Sequence, residues 1–148
     1  MGVRYLRHCG LVRYLEVDKN STDSKELQKM IRQNWSLPKE TDIVIRTSAV
    51  FVVMNQNQVI GGLILEHRNN CNYISYLLVS KVYRNKGIGA DLIDISVEHT
   101  IDGGKKILKL HAETWNNSSR KFYESHEFIY DPSSNEEDCV VKYIRYLS

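Results

Sequence analysis

The chain has 148 residues, of which 42% are hydrophobic and 26% charged, and its 20 Lys and Arg against 18 Asp and Glu leave a net charge of +2. That length suits one domain, expected over residues 1–148, with a core that needs neither disulfides nor metal. The balance excludes a disordered or collagen-like chain, gives nucleic acid no electrostatic support, and includes no apolar run able to cross a bilayer.

Cys9, Cys71 and Cys139 are odd in number and scattered, without the paired spacing of a zinc site, so no metal is expected. They read as reduced thiols of a cytoplasmic protein. The start, Met1 to His8, lacks the apolar stretch of a signal peptide.

In chain order, Val3-Arg4-Tyr5-Leu6 recurs as Val12-Arg13-Tyr14-Leu15 around Gly10. Two tetrapeptides make no repeat architecture, and the segment reads as one strand or a hairpin. A helix is expected to open at Asp23, capped by that residue with Glu26 reaching back, and to end at Leu37-Pro38. Its stripe of Leu27, Met30, Ile31 and Trp35 is assigned to the core. Two β-branched strands follow, Ala49 to Met54 and Val59 to Glu66, joined by the polar tract 55–58. A third strand runs from Tyr73 to Val79. A helix from about Gly89 to Ile101 is expected to bury Ala90, Ile93, Val97 and Ile101 and to show Asp91, Asp94 and Glu98 to solvent. Lys106 to Ala112 alternates as a strand, Asn117 to Ser125 forms a short helix, and Phe128 to Tyr130 and Val140 to Leu147 are closing strands. This order predicts an α/β (α+β) fold, with a mixed sheet antiparallel at first and parallel beside the glycine loop.

That loop, Arg84-Asn85-Lys86-Gly87-Ile88-Gly89-Ala90, joins a strand to a helix start. Unpaired N–H groups there make a cradle for phosphate oxygens, glycines let a ligand approach the backbone, and Arg84 and Lys86 add positive charge. It matches neither a P-loop nor a dinucleotide-binding fingerprint, which would need glycine at Leu92.

Arg84-x-x-Gly87-x-Gly89 resembles the acyl-CoA signature of the GNAT superfamily of N-acetyltransferases, and Leu77-Leu78-Val79 resembles the strand that feeds it. Asn116 to Glu124, followed by Phe128, resembles the family's second conserved segment, with Asn116, Ser119, Phe122 and Tyr123 in register. The departures are Lys81 for a frequent Pro, and Asn85 and Glu127 for Gly. The motifs cover Tyr73 to Tyr130; the N-terminal half matches in element order alone.

The resemblance implies transfer of an acetyl group from acetyl-CoA to a primary amine of a small molecule, protein or peptide by direct attack. It implies a splayed pair of strands whose backbone at Leu77, Leu78 and Val79 holds the pantetheine and thioester. The loop residues Arg84, Asn85, Lys86, Gly87, Ile88, Gly89 and Ala90 would hold the pyrophosphate, and Asn116 and Ser119 the arm. Tyr123 takes the general-acid position. His111, five residues before Asn116, where some relatives carry Glu, is the candidate base, with Glu66, Glu113 and water as rivals. Glu136-Glu137-Asp138 is read either as a solvated loop or as a feature favouring a cationic acceptor. The other classes kept open are a non-catalytic acyl-CoA-binding or regulatory module and an acetyltransferase toxin acting on aminoacyl-tRNA. Acceptor, pathway and a homodimer through Val140 to Leu147 are left open.

Overall fold

A computed structural model describes residues 3–133 and 139–148. Its described strands form one eight-stranded sheet in the order β1-β2-β3-β4-β5-β6-β8-β7. The hairpin β1 (Val3–Cys9) and β2 (Val12–Val17) precedes α1 (Thr22–Asn34). The meander β3 (Ser48–Asn55), β4 (Gln58–His67) and β5 (Asn72–Val79) leads through a short 3-10 turn, Lys81–Tyr83, into α2 (Ile88–Asp102). Then come β6 (Ile107–Glu113), α3 (Asn117–Ser125), β7 (Ile129–Tyr130) and β8 (Val140–Tyr146). The mixed sheet expected from the sequence is the one observed: every pairing is antiparallel except β5 with β6. The N-terminal echo is a hairpin, with Tyr5 opposite Leu15. β8 is flanked by β6 along its length and by β7 at Tyr143 and Ile144, so the strand considered for dimerisation is interior to the sheet.

Each sheet face has its own core. Leu27 and Ile31 of α1 pack with Leu15, Val50, Val52 and Ile64 on one face. On the other, Leu92, Ile93 and Ile95 of α2 pack with Phe51, Leu63, Leu65, Leu108 and Leu110. Burying these apolar side chains is the main favourable term for the fold.

Two helix details differ from expectation. The cap of α1 is Ser21, whose side chain accepts from Ser24 N–H, while Asp23 lies within the first turn. Asp23 therefore favours the helix dipole rather than capping, and Glu26 lies two residues beyond the position that would close a capping box. α2 is rotated from its expected face: Leu92, Ser96 and Thr100 are buried and Ile101 is exposed. The apolar count hid this because Ser96 and Thr100 satisfy their hydroxyls on the helix itself, on the Ile93 and Ser96 carbonyls, each at 2.7 Å. Thr100 also accepts from Asn72 at 3.0 Å, tying α2 to the start of β5. Asp91 is not simply solvated either. It accepts from the Tyr14 hydroxyl at 2.7 Å and from Arg7 at 3.3 Å, and Glu98 takes the other arm of Arg7, so these acids anchor α2 to the β1–β2 hairpin.

Gly62 of β4 is where α1 meets the sheet. A Cβ there would lie 2.3 Å from the Phe51 carbonyl oxygen and 2.6 Å from a Leu27 methyl carbon. Backbone on one side and core on the other leave nothing that yields cheaply. Gly62→Ala is expected to lower unfolding stability by about 2–3 kcal/mol, measured by urea titration with an unchanged m-value.

Candidate active site

β5 and β6 pair at two positions, Asn72 with Leu108 and Tyr73 with Lys109, and no further. The cause lies one strand over. Leu65 of β4 faces Ile74, but the next residue back, Ile64, faces Tyr76, so Ser75 is an extra residue on β5. A bulge of this kind bends its strand, and here it accompanies the separation of β5 from β6. Beyond it, Leu77, Leu78 and Val79 remain paired with Leu63, Gly62 and Gly61 on one side only. Their other edge borders a cavity of about 700 Å³.

The cavity runs from the α2 start to the sheet. Leu77 to Val79 form one wall, and Asn116, Ser119, Phe122 and Tyr123 of the α3 region the other. Gly87 is the N-cap of α2 in the left-handed region, φ 86°, and Asp91 N–H closes the first turn on its carbonyl. The N–H groups of Ile88, Gly89 and Ala90 precede that first helical bond, as an anion cradle requires. Gly89 serves packing as well, since a Cβ there would lie 3.1 Å from the Phe122 ring. Arg84 turns back so that its Nε donates to the Val79 carbonyl at 2.8 Å, and Asn85 holds φ 63°, an angle Asn tolerates in place of Gly.

Asn116 caps α3 by accepting from Ser119 N–H at 3.2 Å. This uses its Oδ1, so Nδ2 is the atom able to donate to a bound arm. Tyr123 follows on the same helix with its ring against Phe128 and Tyr143. Burial, with the nearby Glu113 and then Tyr73 adding to it, pushes its phenol up to about 12. The group is thus a protonated donor throughout the neutral range.

Glu113, at the end of β6, is the carboxylate that lines the cavity. Two residues earlier on β6, His111 meets Tyr73 of β5, ring nitrogen Nδ1 to hydroxyl. Loss of solvation lowers the His111 pKa, with Lys142 and Arg68 acting in the same direction and Glu113 against. Burial pushes Tyr73 up to about 12, with Arg68 opposing and Glu66 and Tyr76 adding. A protonated phenol and a neutral imidazole form a donor–acceptor pair in which the Tyr73 hydroxyl can donate a hydrogen bond to Nδ1.

A sequence profile of the acetyltransferase (GNAT) family matches residues 22–128. The chain belongs to the GNAT acetyltransferase family. Its chemistry is acetyl-CoA-dependent acyl transfer. Among solved structures it is similar to Ard1 from Thermoplasma volcanium, at 16% identity and a TM-score of 0.75, covering 93% of this chain and 99% of that one. It is also similar to a GNAT acetyltransferase from Elizabethkingia anophelis with acetyl-CoA bound, at 13% identity and 0.70, covering 94% and 100%. The ribosomal-protein-S18-alanine N-acetyltransferase from Escherichia coli matches at 12% identity and 0.70, covering 93% and 94%. At such identities these three establish a shared fold. Comparison with curated proteins by sequence finds no match.

Of the GNAT residues expected from sequence, Leu77, Leu78, Val79, Arg84, Asn85, Gly87, Ile88, Gly89, Asn116, Ser119 and Tyr123 line this one cavity. Lys86 and Ala90 lie on the same loop and first turn without lining it. His111 is joined to Tyr73, and neither residue lines the cavity. Glu66 pairs with Arg68 at 3.0 Å instead of lining the cavity. Glu136-Glu137-Asp138 lies outside the described residues. Trp35, assigned to the core, packs half-buried against it and also walls the cavity, meeting Tyr76 edge-on at 5.5 Å. Sequence reasoning missed Tyr73, which looks like any strand tyrosine, and Trp115, whose place beside Asn116 was an available signal. Among the described residues no group of three or more His, Cys, Asp and Glu could hold a metal, and no helix is long and apolar enough to cross a membrane.

A Cβ at Gly87 meets nothing within 4 Å, so its substitution is a test of backbone angle alone. Gly87→Ala is expected to cost about 1–2 kcal/mol of stability by equilibrium unfolding, and to weaken coenzyme A binding several-fold by calorimetry.

Proposed function

We propose that this GNAT protein transfers the acetyl group of acetyl-CoA to a primary amine of a small molecule or polypeptide by direct attack. The observation that carries this reading is the convergence in one cleft of an anion-binding helix start, an open strand edge, a carboxylate and a phenol kept protonated.

Glu113 would receive the acceptor as its ammonium, which makes a cationic acceptor the natural partner. The Tyr73–His111 pair would then take the ammonium proton, either directly or through water, with Tyr73 handing its own proton to Nδ1. The uncharged nitrogen attacks the thioester carbonyl carbon, and backbone N–H groups along Leu77 to Val79 stabilise the developing oxyanion. The carbon–nitrogen bond forms as the carbon–sulfur bond breaks. Tyr123 donates its proton to the departing sulfur and is restored by the proton that the new amide nitrogen loses. One proton leaves His111 to solvent in each turnover, so charge and atoms balance.

His111 accepts a proton only in its neutral form. Because its pKa lies below the ordinary 6.5, kcat is expected to hold through neutrality and to fall in acid below that pH. His111→Gln removes that acidic limb. Tyr123→Phe is expected to lower kcat by about 100-fold while leaving the Kd for acetyl-CoA unchanged. Both are measured as thiol release across a panel of amines. Binding of acetyl-CoA without thiol release from any amine would contradict the proposal.

A further inference from the structure

The turn between β4 and β5 carries a cation whose contacts lead to the proposed proton acceptor. Arg68 sits over the Tyr73 ring, its guanidinium carbon 4.1 Å from the ring centroid, and donates to Glu66 at 3.0 Å. Its own backbone N–H bonds the Cys71 carbonyl at 2.9 Å, closing the turn that delivers Tyr73 to β5. Glu66, Arg68, Tyr73 and His111 therefore form a continuous contact chain across β4, β5 and β6. An isolated surface pair of this kind contributes little to stability. This one is held at both ends, by a carboxylate and by an aromatic face, in the geometry guanidinium groups favour.

We propose that Arg68 is a positioning residue, which holds the Tyr73 ring in register with His111 and sets the charge environment of that pair. The proposal rests on the reading of His111 as the proton acceptor for its catalytic consequence, but not for its structural content. Contact with the ring face restrains the Tyr73 side chain at χ1, the torsion that sets where its hydroxyl stands relative to Nδ1. The nearby positive charge opposes protonation of the imidazole and so favours its accepting form. The other charged or titratable groups around His111 are Lys109 and Glu113 on β6, Lys142 opposite it on β8, and Tyr73. Glu113 pulls the other way, so Arg68 and Lys142 together offset the carboxylate needed for the acceptor.

The test compares Arg68→Met, which keeps bulk and loses charge, with Arg68→Lys, which keeps charge and loses the planar fork. The His111 titration is followed by NMR and the pH profile of kcat is measured for each, with thermal melts to confirm folding. In Arg68→Met the titration and the acidic limb are expected to move together to higher pH, by roughly half a pH unit to one unit. Its kcat near neutrality should fall several-fold, and Arg68→Lys should return the titration most of the way. A His111 titration that superimposes on wild type in Arg68→Met overturns the proposal, whatever the base proves to be. A titration that moves while the acidic limb survives in His111→Gln supports the role of Arg68 and refutes His111 as the base.

Discussion

The candidate active site depends on a single failure of pairing. β5 and β6 run parallel for two positions and then part, at the point where Ser75 is inserted opposite β4. Backbone groups in a protein interior need partners, so an open strand edge within a sheet is costly unless something regularly occupies it. The core on both faces of β3, β4 and β5 holds the bulged strand in place, and Gly61, where a Cβ would lie 2.5 Å from the Leu78 carbonyl oxygen, lets it lie against β4. The cleft is therefore bordered by β5, by the α2 start and by the α3 region that carries Tyr123.

Around that opening the titratable groups are sorted by environment. Burial raises two phenols, Tyr73 and Tyr123, and lowers one imidazole, His111, so that all three are neutral at neutral pH. A neutral imidazole is a base and a neutral phenol an acid, which are the two roles that acyl transfer to an ammonium requires. Glu113 touches both sides of this division, since its charge bears on His111 and on Tyr123. The carboxylate proposed to receive the acceptor thus also favours the protonated form of Tyr123.

Much of this was legible in the sequence because it lies in local patterns. The alternation of β6, the limits of α3 and the glycine loop are short-range features, and the two motifs fall where the cleft walls form. Asn85 and Glu127, which replace expected glycines, keep the glycine-like backbone, with φ of 63° and 69°. What was not legible depends on contacts between distant residues. The buried face of α2 carries Ser96 and Thr100, which hydrophobic counting places outside. Tyr73 and His111 are 38 residues apart and meet only because β5 and β6 pair at their first positions. Trp35 packs on the core as the last rung of its apolar stripe, and only its meeting with Tyr76 of β5 makes it a cavity wall as well.

The central claim is that the opening between β5 and β6 is where acetyl-CoA is held. Amide hydrogen exchange with and without acetyl-CoA tests it most directly, because the proposed contacts are largely backbone N–H groups that exchange readily when unpartnered. The expected result is slowed exchange on binding at residues 77–79 and 87–90, with β1 to β3 unchanged. Binding that protects other segments and leaves these two unchanged would contradict it.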